Sequence, residues 1–459
     1  MFTGIVQFFY PDIKKEDVKK VALLGLGFLF TIGAYWLLRL LKDVVLYKVA
    51  FPVELGWPAG YGREWGATIK LYSPWIVLGV VAIYTKLIDM FEKHKLFYII
   101  GTFYATGFSF MAAVLYFQET FGAAYVGSTL LAITGLGGYL MVESLGSVLV
   151  ALFWSFTISS TTTEQAKSSF PFIVALGQIG SIGLSGFMLL GLPTWGMYLV
   201  SSVFLICLMF TIKYLMASIP ATQMKGSGKE EKKKKPDFFG GIKLLLTQPY
   251  LMGVLVVSTF YEIAGTIVDY SMKSQASEIL SKADFSWFQG VYGLSVNSLA
   301  FAMALLGTST IMKKFGVRVC LLVYPTAFAV SLFALYGYYF HTPTAMNLLW
   351  ATFAVMLVVK AASYAVNNPV KEMMYIPTSK DAKFKTKGFI DMAGNRSAKG
   401  AGAVINTNLV VPKNYAASLQ NLMLYGSLIG LGIIGLWIMA AIYVGKKNTQ
   451  LVKDGEIIE

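Results

Sequence analysis

Long apolar runs separated by short charged loops are the feature that most constrains the fold of this chain. The apolar runs are roughly 20 residues long, which is the length that crosses a bilayer as an α-helix. Of the 459 residues, 56% are hydrophobic and only 14% are charged, whereas a soluble protein carries about 25% charged residues. Because lipid cannot satisfy exposed backbone groups, regular helices are expected. The sequence therefore predicts an all-α polytopic membrane protein.

The apolar pattern predicts about twelve transmembrane helices. The predicted spans are 20–47, 67–91, 97–117, 126–158, 169–191, 195–217, 249–273, 287–311, 317–340, 345–375, 387–411 and 417–444. Basic clusters recur before the first span and after even-numbered spans, at Lys14–Lys15, Lys19–Lys20, Lys93, Lys95, Lys232–Lys235 and Lys446–Lys447. If every span crosses, these clusters share one side, so both termini are expected in the cytoplasm.

A polar segment divides the chain into two sets of six spans. The run KGSGKEEKKKKPD within residues 220–240 indicates a cytoplasmic linker between an N-terminal half, 1–219, and a C-terminal half, 241–459. Similar short basic loops, built around Phe91 and Phe315, follow the second and eighth spans. Six plus six spans with matching loops is typical of transporters with parallel repeats, of the major facilitator type.

The composition excludes several classes of function. The net charge of +14 is mostly explained by the excess of basic residues in cytoplasmic loops. No predicted soluble domain presents a basic face to a nucleic acid. Cys207 and Cys320 lie in apolar runs and are interpreted as buried residues that form no disulfide. His94 and His341 lack metal-ligand neighbours, so no metal or cofactor is expected, and no obligate protein partner is evident.

Residues 367–405 carry an unusual density of charge between two apolar segments. Charge within or beside a span is costly and usually faces a water-filled cavity on a substrate or ion path. The surplus is basic, which indicates an anionic substrate. Lys360 lies in the tenth predicted span, Pro369 is expected to bend that helix, and Lys371 with Glu372 is expected near its inner mouth.

The eleventh predicted span adds Asp391, Arg396 and Lys399. Arg396 and Lys399 are three residues apart, so they share a helix face. Gly394, Gly400 and Gly402 would allow close approach of a backbone or ligand. The run GNRSAKG lacks the residue order of a phosphate-binding P-loop, and no strand precedes it.

The first and fourth predicted spans contain a second set of charges. Arg39 and Lys42 share a helix face, with Asp43 beside them as a possible counter-ion. The alternative is a cluster at the outer interface whose cations reach the lipid headgroups. Glu143 lies midway along the fourth span, where it should be protonated or paired with another helix, either for structure or for function.

The seventh predicted span contains Asp269 and Lys273 at the spacing of a helical ion pair. They stand about as far into this span as Arg39 and Lys42 stand into the first. Under a two-fold repeat the two clusters would face each other across a cavity, with Glu262 on the same path. A multivalent phosphate suits several Lys and Arg side chains, which replace its hydration shell.

Several motifs in this sequence resemble those of the ATP/ADP translocases of plastids and obligate intracellular bacteria. The resemblance rests on RLLKDVVL, YTKL…KLFY, MVESLGSVLVALFWSF with TTTEQAKSSFP, and most specifically NPVKEMMYIP followed by DAKFKTKGFIDM and AKGAGAVI. It implies a major-facilitator-like fold of twelve helices and exchange of cytoplasmic ADP for external ATP, across the inner membrane of a bacterium that lives inside a host cell. It also transfers four charged family positions to this chain: Lys42, Glu143, Asp269 and Lys399.

Two departures from the family pattern leave the nucleobase and the exchange mode open. Thr266 and Asp269 stand where the family usually has Asn and Glu, and Arg396-Ser397-Ala398 replaces Pro-Leu-Gly. Some family members are proton-driven importers of other nucleotides. The alternative is therefore a nucleotide:proton symporter, with a different nucleobase or NAD as its substrate and Glu143 or Asp269 as the proton carrier.

The sequence thus predicts a nucleotide antiporter that works by alternating access in a lipid bilayer. Lys42, Lys273 and Lys399 are the expected phosphate ligands, organised by Glu143 and Asp269. The full predicted substrate-binding set is Arg39, Lys42, Glu143, Asp269, Lys273, Lys360, Lys371, Arg396 and Lys399. An intramembrane enzyme acting on a phosphorylated lipid is disfavoured, because no nucleophile–base set or metal-ligand spacing is found. A membrane receptor that transports nothing is the third alternative.

Overall fold

The computed structural model describes residues 10–220, 222–224, 238–305 and 308–458. Most of the predicted linker, including Lys232–Lys235, lies outside the described residues. The described chain is dominated by long helices in the order that the apolar pattern predicts. The first six are α1 Val18–Lys48, α2 Tyr61–Met90, α3 Lys93–Phe121, α4 Ser128–Ser160, α5 Thr163–Phe187 and α6 Thr194–Ser218.

Six further long segments follow, and the last three of them each contain a π-helical turn. They are α7 Pro249–Ile279, α8 Lys282–Leu305, α9 Thr308–Tyr339, α10 Ala345–Ala362 with Ser363–Asn367 and Asn368–Met374, α11 Lys380–Phe389 with Ile390–Gly394 and Asn395–Leu409, and α12 Tyr415–Asn421 with Leu422–Gly426 and Ser427–Asp454. Short helices also form at Ala123–Val126 and Phe238–Thr247. Pro369, which is expected to bend α10, lies in the first turn of Asn368–Met374, directly after a π-helical turn.

Ten helices of the described chain are long and apolar enough to cross a membrane. This set omits α8 and α11, which overlap the predicted spans 287–311 and 387–411. The protein is accordingly an integral membrane protein, and the number of twelve spans stays a prediction. Cys207 and Cys320 are free thiols, as expected.

The chain divides into two compact units that do not follow the sequence order strictly. Unit 1 contains the described residues of Met1–Gly62, Trp75–Glu231 and Ser281–Asn297. Unit 2 contains those of Arg63–Pro74, Lys232–Leu280 and Ser298–Glu459. The beginning of α2 therefore packs with unit 2, and the beginning of α8 packs with unit 1.

Unit 1 is built around α1, which packs along α4, α5 and α6. Small residues let α1 and α5 approach closely. A Cβ atom added at Gly180 would lie 2.4 Å from the backbone oxygen of Leu29, so a larger residue would separate these helices. This packing brings the buried Lys42 on α1 next to α4.

Unit 2 is built around α7, which packs against α10, α11 and α12, while α9 packs on α12. The predicted close approach at Gly402 is confirmed, because an added Cβ would lie 2.8 Å from the backbone oxygen of Ile263 on α7. At Gly394 an added Cβ would meet the side chains of Leu255 and Thr259 at 3.2 Å, whereas at Gly400 it would point into open space. The contact at Gly402 aligns the charged part of α11 with α7.

Candidate functional site

The charged centre of unit 1 is an ion pair between Lys42 and Glu143. The Lys42 side chain is only 5% exposed, whereas that of Glu143 is 29% exposed. Lys42 Nζ donates to Glu143 Oε1 and lies 3.8 Å from the centre of the Tyr139 ring. Tyr139 and Glu143 are four residues apart, so one face of α4 holds the ammonium group. The prediction that Glu143 pairs with another helix is confirmed.

The neighbours of Lys42 on α1 have different surroundings. Asp43 is buried and accepts a hydrogen bond of 3.4 Å from Gln289 Nε2 on α8. Arg39 is half-buried, with its guanidinium group 4.9 Å from the Trp36 ring. A carboxylate that pairs with Lys42 thus comes from another helix, α4.

In unit 2, one carboxylate holds two lysines. Asp269 Oδ2 accepts hydrogen bonds from Lys273 Nζ at 3.0 Å and from Lys70 Nζ at 2.9 Å. All three side chains are at most 15% exposed. The predicted pair of Asp269 and Lys273 is confirmed. Lys70 was missed, although a lone lysine inside the apolar run of α2 is itself a signal of function.

A second acid on α7 pairs with α11. Glu262 Oε1 lies 3.8 Å from Lys399 Nζ, and their side chains are 12% and 48% exposed. Glu262 and Asp269 are seven residues apart, so they share a face about 10 Å apart along α7. The half-buried Lys360 interacts electrostatically with both carboxylates.

These side chains form a charged stripe in unit 2, with four cations around two carboxylates. The stripe consists of Lys70, Glu262, Asp269, Lys273, Lys360 and Lys399. An excess of ammonium groups over carboxylates suits a polyanionic ligand, because its negative charges can accept charge-assisted hydrogen bonds from the lysines. Arg396, also predicted for the site, is half-buried on α11.

Next to the stripe lies a polar cavity of about 170 Å³ between α7, α10 and α11. Lys371 borders it, donating a hydrogen bond of 2.8 Å to the backbone oxygen of Ser258 and lying 4.4 Å from the centre of the Tyr261 ring. Glu372 is ion-paired with Lys387. Asp391 is exposed and lines the same cavity. The π-helical turn Ile390–Gly394 thus lies where α11 meets this cavity, and such turns are frequent at functional sites.

A further ionic cluster in unit 2 lies at the beginning of α2. Arg63 forms an ion pair with Glu278 at the end of α7, and its guanidinium group lies 5.0 Å from the Tyr415 ring. Glu64 accepts a hydrogen bond of 2.8 Å from the backbone N–H of Lys413. These contacts fasten the segment that carries Lys70 to α7 and to the α11–α12 connection.

The described residues include no group of three or more His, Cys, Asp or Glu side chains placed to hold a metal ion. Within the units, the structure brings together Lys42 with Glu143, Asp269 with Lys273, and Lys399 with Glu262. The arrangement supplies cations held by carboxylates, which a competing anion can replace as partners.

Comparison with known proteins identifies sequence relatives of this chain. The profile of a family described as TLC ATP/ADP transporter matches residues 1–133 and 138–448. A chloroplastic ADP,ATP carrier protein of Arabidopsis thaliana is 26% identical, covering 97% of this chain and 77% of the relative. An ADP,ATP carrier protein of Chlamydia pneumoniae is 25% identical, covering 97% and 94%. One of Rickettsia prowazekii is 24% identical, covering 86% and 88%.

Solved structures agree in fold. A nucleoside transporter matches with a TM-score of 0.60 at 14% identity, over 93% of this chain and 99% of the other. A bacterial homologue of the iron transporter ferroportin matches with a TM-score of 0.60 at 12% identity, over 92% and 99%. A D-xylose-proton symporter matches with a TM-score of 0.59 at 12% identity, over 92% and 95%. The predicted all-α, major-facilitator-like fold is confirmed.

Proposed function

Since this chain belongs to the TLC ATP/ADP transporter family, we propose that it is a transporter, not an enzyme, that exchanges ATP for ADP across a membrane by alternating access. The carrier proteins to which it is similar are named for these two nucleotides. The excess of lysine over carboxylate in the charged stripe of unit 2 is the observation in this structure that supports an anionic substrate best.

Phosphate binding is assigned to Lys42 in unit 1 and to Lys273 and Lys399 in unit 2. Each of these ammonium groups is held by a carboxylate, at Glu143, Asp269 and Glu262 respectively. A phosphate oxygen competes for the same N–H donors, and charge-assisted hydrogen bonds to phosphate are among the strong ones. The carboxylates therefore keep the lysines in place without substrate and recover them when the nucleotide leaves.

Exchange, as opposed to uniport, follows from the cost of burying charge. Breaking a buried ion pair leaves an uncompensated charge and costs about 3–5 kcal/mol. If reorientation opens the lysine–carboxylate pairs, the transporter without substrate faces this cost, whereas bound nucleotide supplies the compensating charge. Substrate on both sides of the membrane would then accelerate exchange.

The topology is part of the same proposal. We assign both termini and the segment 220–240 to the cytoplasm of a bacterium. The halves 1–219 and 241–459 are assigned as parallel repeats. The support is the recurrence of lysine clusters, such as Lys14–Lys15, Lys93, Lys95 and Lys446–Lys447, after even numbers of predicted crossings. The proposed exchange in the inner membrane takes up external ATP and releases internal ADP.

Flux into proteoliposomes tests the function. Vesicles containing the pure protein are loaded with ADP, with phosphate or with buffer, and uptake of labelled ATP, GTP, UTP and NAD is measured with and without a pH gradient. The proposal predicts ATP uptake into ADP-loaded vesicles that is independent of the pH gradient. Uptake into unloaded vesicles that depends on external acid would instead establish the proton symporter.

A further inference from the structure

The cavity beside the charged stripe offers both hydrogen-bond donors and acceptors. Two of its polar atoms, Ser258 Oγ and Asn395 Oδ1, are buried, and neither has a hydrogen-bond partner among the described residues. Ser258 is only 1% exposed. Burying such a group without a partner costs about 1–3 kcal/mol. A bound group that satisfies both atoms therefore has a free-energy advantage at this position.

The charges around the cavity argue for a neutral occupant. Lys371 and Lys387 are cationic, while Glu372 and Asp391 are anionic, and all four line the cavity. An anion would face two carboxylates, and a cation would face two ammonium groups. The two aromatic residues of the lining, Tyr261 and Tyr375, are only 8% and 4% exposed, and the Lys371 ammonium group lies over the Tyr261 ring. Little ring surface is therefore open to a stacking base. A neutral polyol has neither conflict.

The size of the cavity fits a part of a nucleotide. Its volume of about 170 Å³ is more than ten times the roughly 15 Å³ that one ordered water requires. It is smaller than the roughly 300–1,000 Å³ of a pocket that encloses a whole drug-sized ligand. A sugar ring with two hydroxyl groups lies between these limits.

The cavity also lies about one helical turn from the proposed phosphate ligand Lys399. Ser258 precedes Glu262 by four residues on α7, and Asn395 precedes Lys399 by four residues on α11. Four residues advance a helix by about 6 Å. The pair Glu262–Lys399 therefore lies one turn from the cavity on both helices, a separation comparable with that between the sugar and the phosphates of a nucleotide.

We propose that this cavity in unit 2 is a ribose subsite, in which Asp391 accepts hydrogen bonds from the vicinal 2′- and 3′-hydroxyl groups of the transported nucleotide. Asn395 Oδ1 is the second acceptor, and Ser258 Oγ and Lys371 Nζ are donors to the ribose oxygens. A carboxylate that recognises a ribose hydroxyl is a solution known from dinucleotide-binding folds. This proposal rests on the proposed nucleotide transport. It also explains why carboxylates line a site for an anionic substrate, because these carboxylates face the uncharged ribose and not the phosphates.

The test compares ATP with 2′-deoxy-ATP and 3′-deoxy-ATP. Half-saturating concentrations for uptake into ADP-loaded proteoliposomes, and dissociation constants for the detergent-solubilised protein, are measured for each nucleotide. The wild-type protein is expected to prefer ATP over at least one deoxy form by roughly 10- to 150-fold, as for a hydrogen bond to a charged group. Equal affinities for all three nucleotides would overturn the ribose subsite.

Variants then test whether residues of the cavity cause the preference for ATP over its deoxy forms. Asp391→Ala is expected to weaken ATP binding and to reduce the preference for ATP towards unity, and Ser258→Ala is expected to reduce it less. The matched control is Asp454→Ala, because Asp454 is an exposed residue at the end of α12, and it should retain the full preference. If Asp391→Ala and Ser258→Ala weaken all three nucleotides equally, the proposal is wrong.

Failure of the subsite is distinguishable from failure of the transport function. ATP/ADP exchange without discrimination against deoxy forms would overturn the subsite alone. Absence of exchange would overturn the transport function, while the binding measurement would still decide whether the cavity recognises the ribose. If Asp391→Ala does not fold, Asp391→Asn retains the shape and should lower the preference partially.

Discussion

Removing the charge of Glu143 should destabilise the protein more than removing the charge of Lys42. Lys42 is almost fully buried, whereas nearly a third of the Glu143 side chain is exposed. An uncompensated buried charge costs about 3–5 kcal/mol, and the Tyr139 ring, 3.8 Å from the ammonium group, recovers up to about 2 kcal/mol. With the full contribution of the ring, Glu143→Gln should therefore lower the free energy of unfolding by about 1–3 kcal/mol. In Lys42→Met the remaining carboxylate reaches water, so about 1 kcal/mol is expected.

The double variant Lys42→Met with Glu143→Gln separates stability from function. Replacement of a whole buried ion pair by uncharged groups is often nearly neutral, so its free energy of unfolding should lie within about 1 kcal/mol of the wild-type value. It nevertheless lacks the phosphate ligand, so ATP affinity should fall by roughly 10- to 150-fold.

Unfolding in mixed detergent micelles and ATP binding, measured on the same four proteins, provide the assay. Additive destabilisation in the double variant would refute the energetic coupling of Lys42 and Glu143. Wild-type ATP affinity in the double variant would remove Lys42 from the substrate site.

Two further predictions concern unit 2. Lys70→Met should preserve folding, because Lys273 still pairs with Asp269, the carboxylate that both lysines share. The same change should weaken ATP binding by roughly 10- to 150-fold. Unchanged ATP affinity would exclude Lys70 from the substrate site. Gly402→Ala should lower the free energy of unfolding by about 1–3 kcal/mol, because its new Cβ would press on the backbone oxygen of Ile263. The control Gly400→Ala adds its Cβ in open space, and equal destabilisation by both changes would contradict this packing argument.

Contacts within one helix were predictable from the sequence, whereas contacts between helices were not. Asp269 and Lys273 are four residues apart, and helical geometry alone brings them together. Lys70 reaches the same carboxylate from 199 residues away, which depends on how the beginning of α2 packs in unit 2. Glu143 was expected to pair with another helix because a lone charge in a span needs compensation, but Lys42 as its partner required the packing of α1 on α4.

Irregular turns within the helices were likewise only partly predictable from the sequence. An irregularity of α10 near Pro369 was predictable, because proline removes a backbone donor from the helix, and a π-helical turn directly precedes this residue. The π-helical turn Leu422–Gly426 in α12 contains no proline, so local sequence rules gave no signal for it. The cavity beside Ile390–Gly394 likewise depends on three helices, so Ser258 and Asn395 were not recognised as candidate site residues.

Simultaneous measurement of inward and outward flux tests the proposed exchange most directly. Vesicles loaded with ADP carrying one label are given ATP carrying another, and both labels are followed across the membrane in the same sample. The proposal predicts that one ADP leaves for each ATP taken up, and that neither nucleotide moves when the opposite side has none. Accumulation of ATP without release of ADP would contradict it.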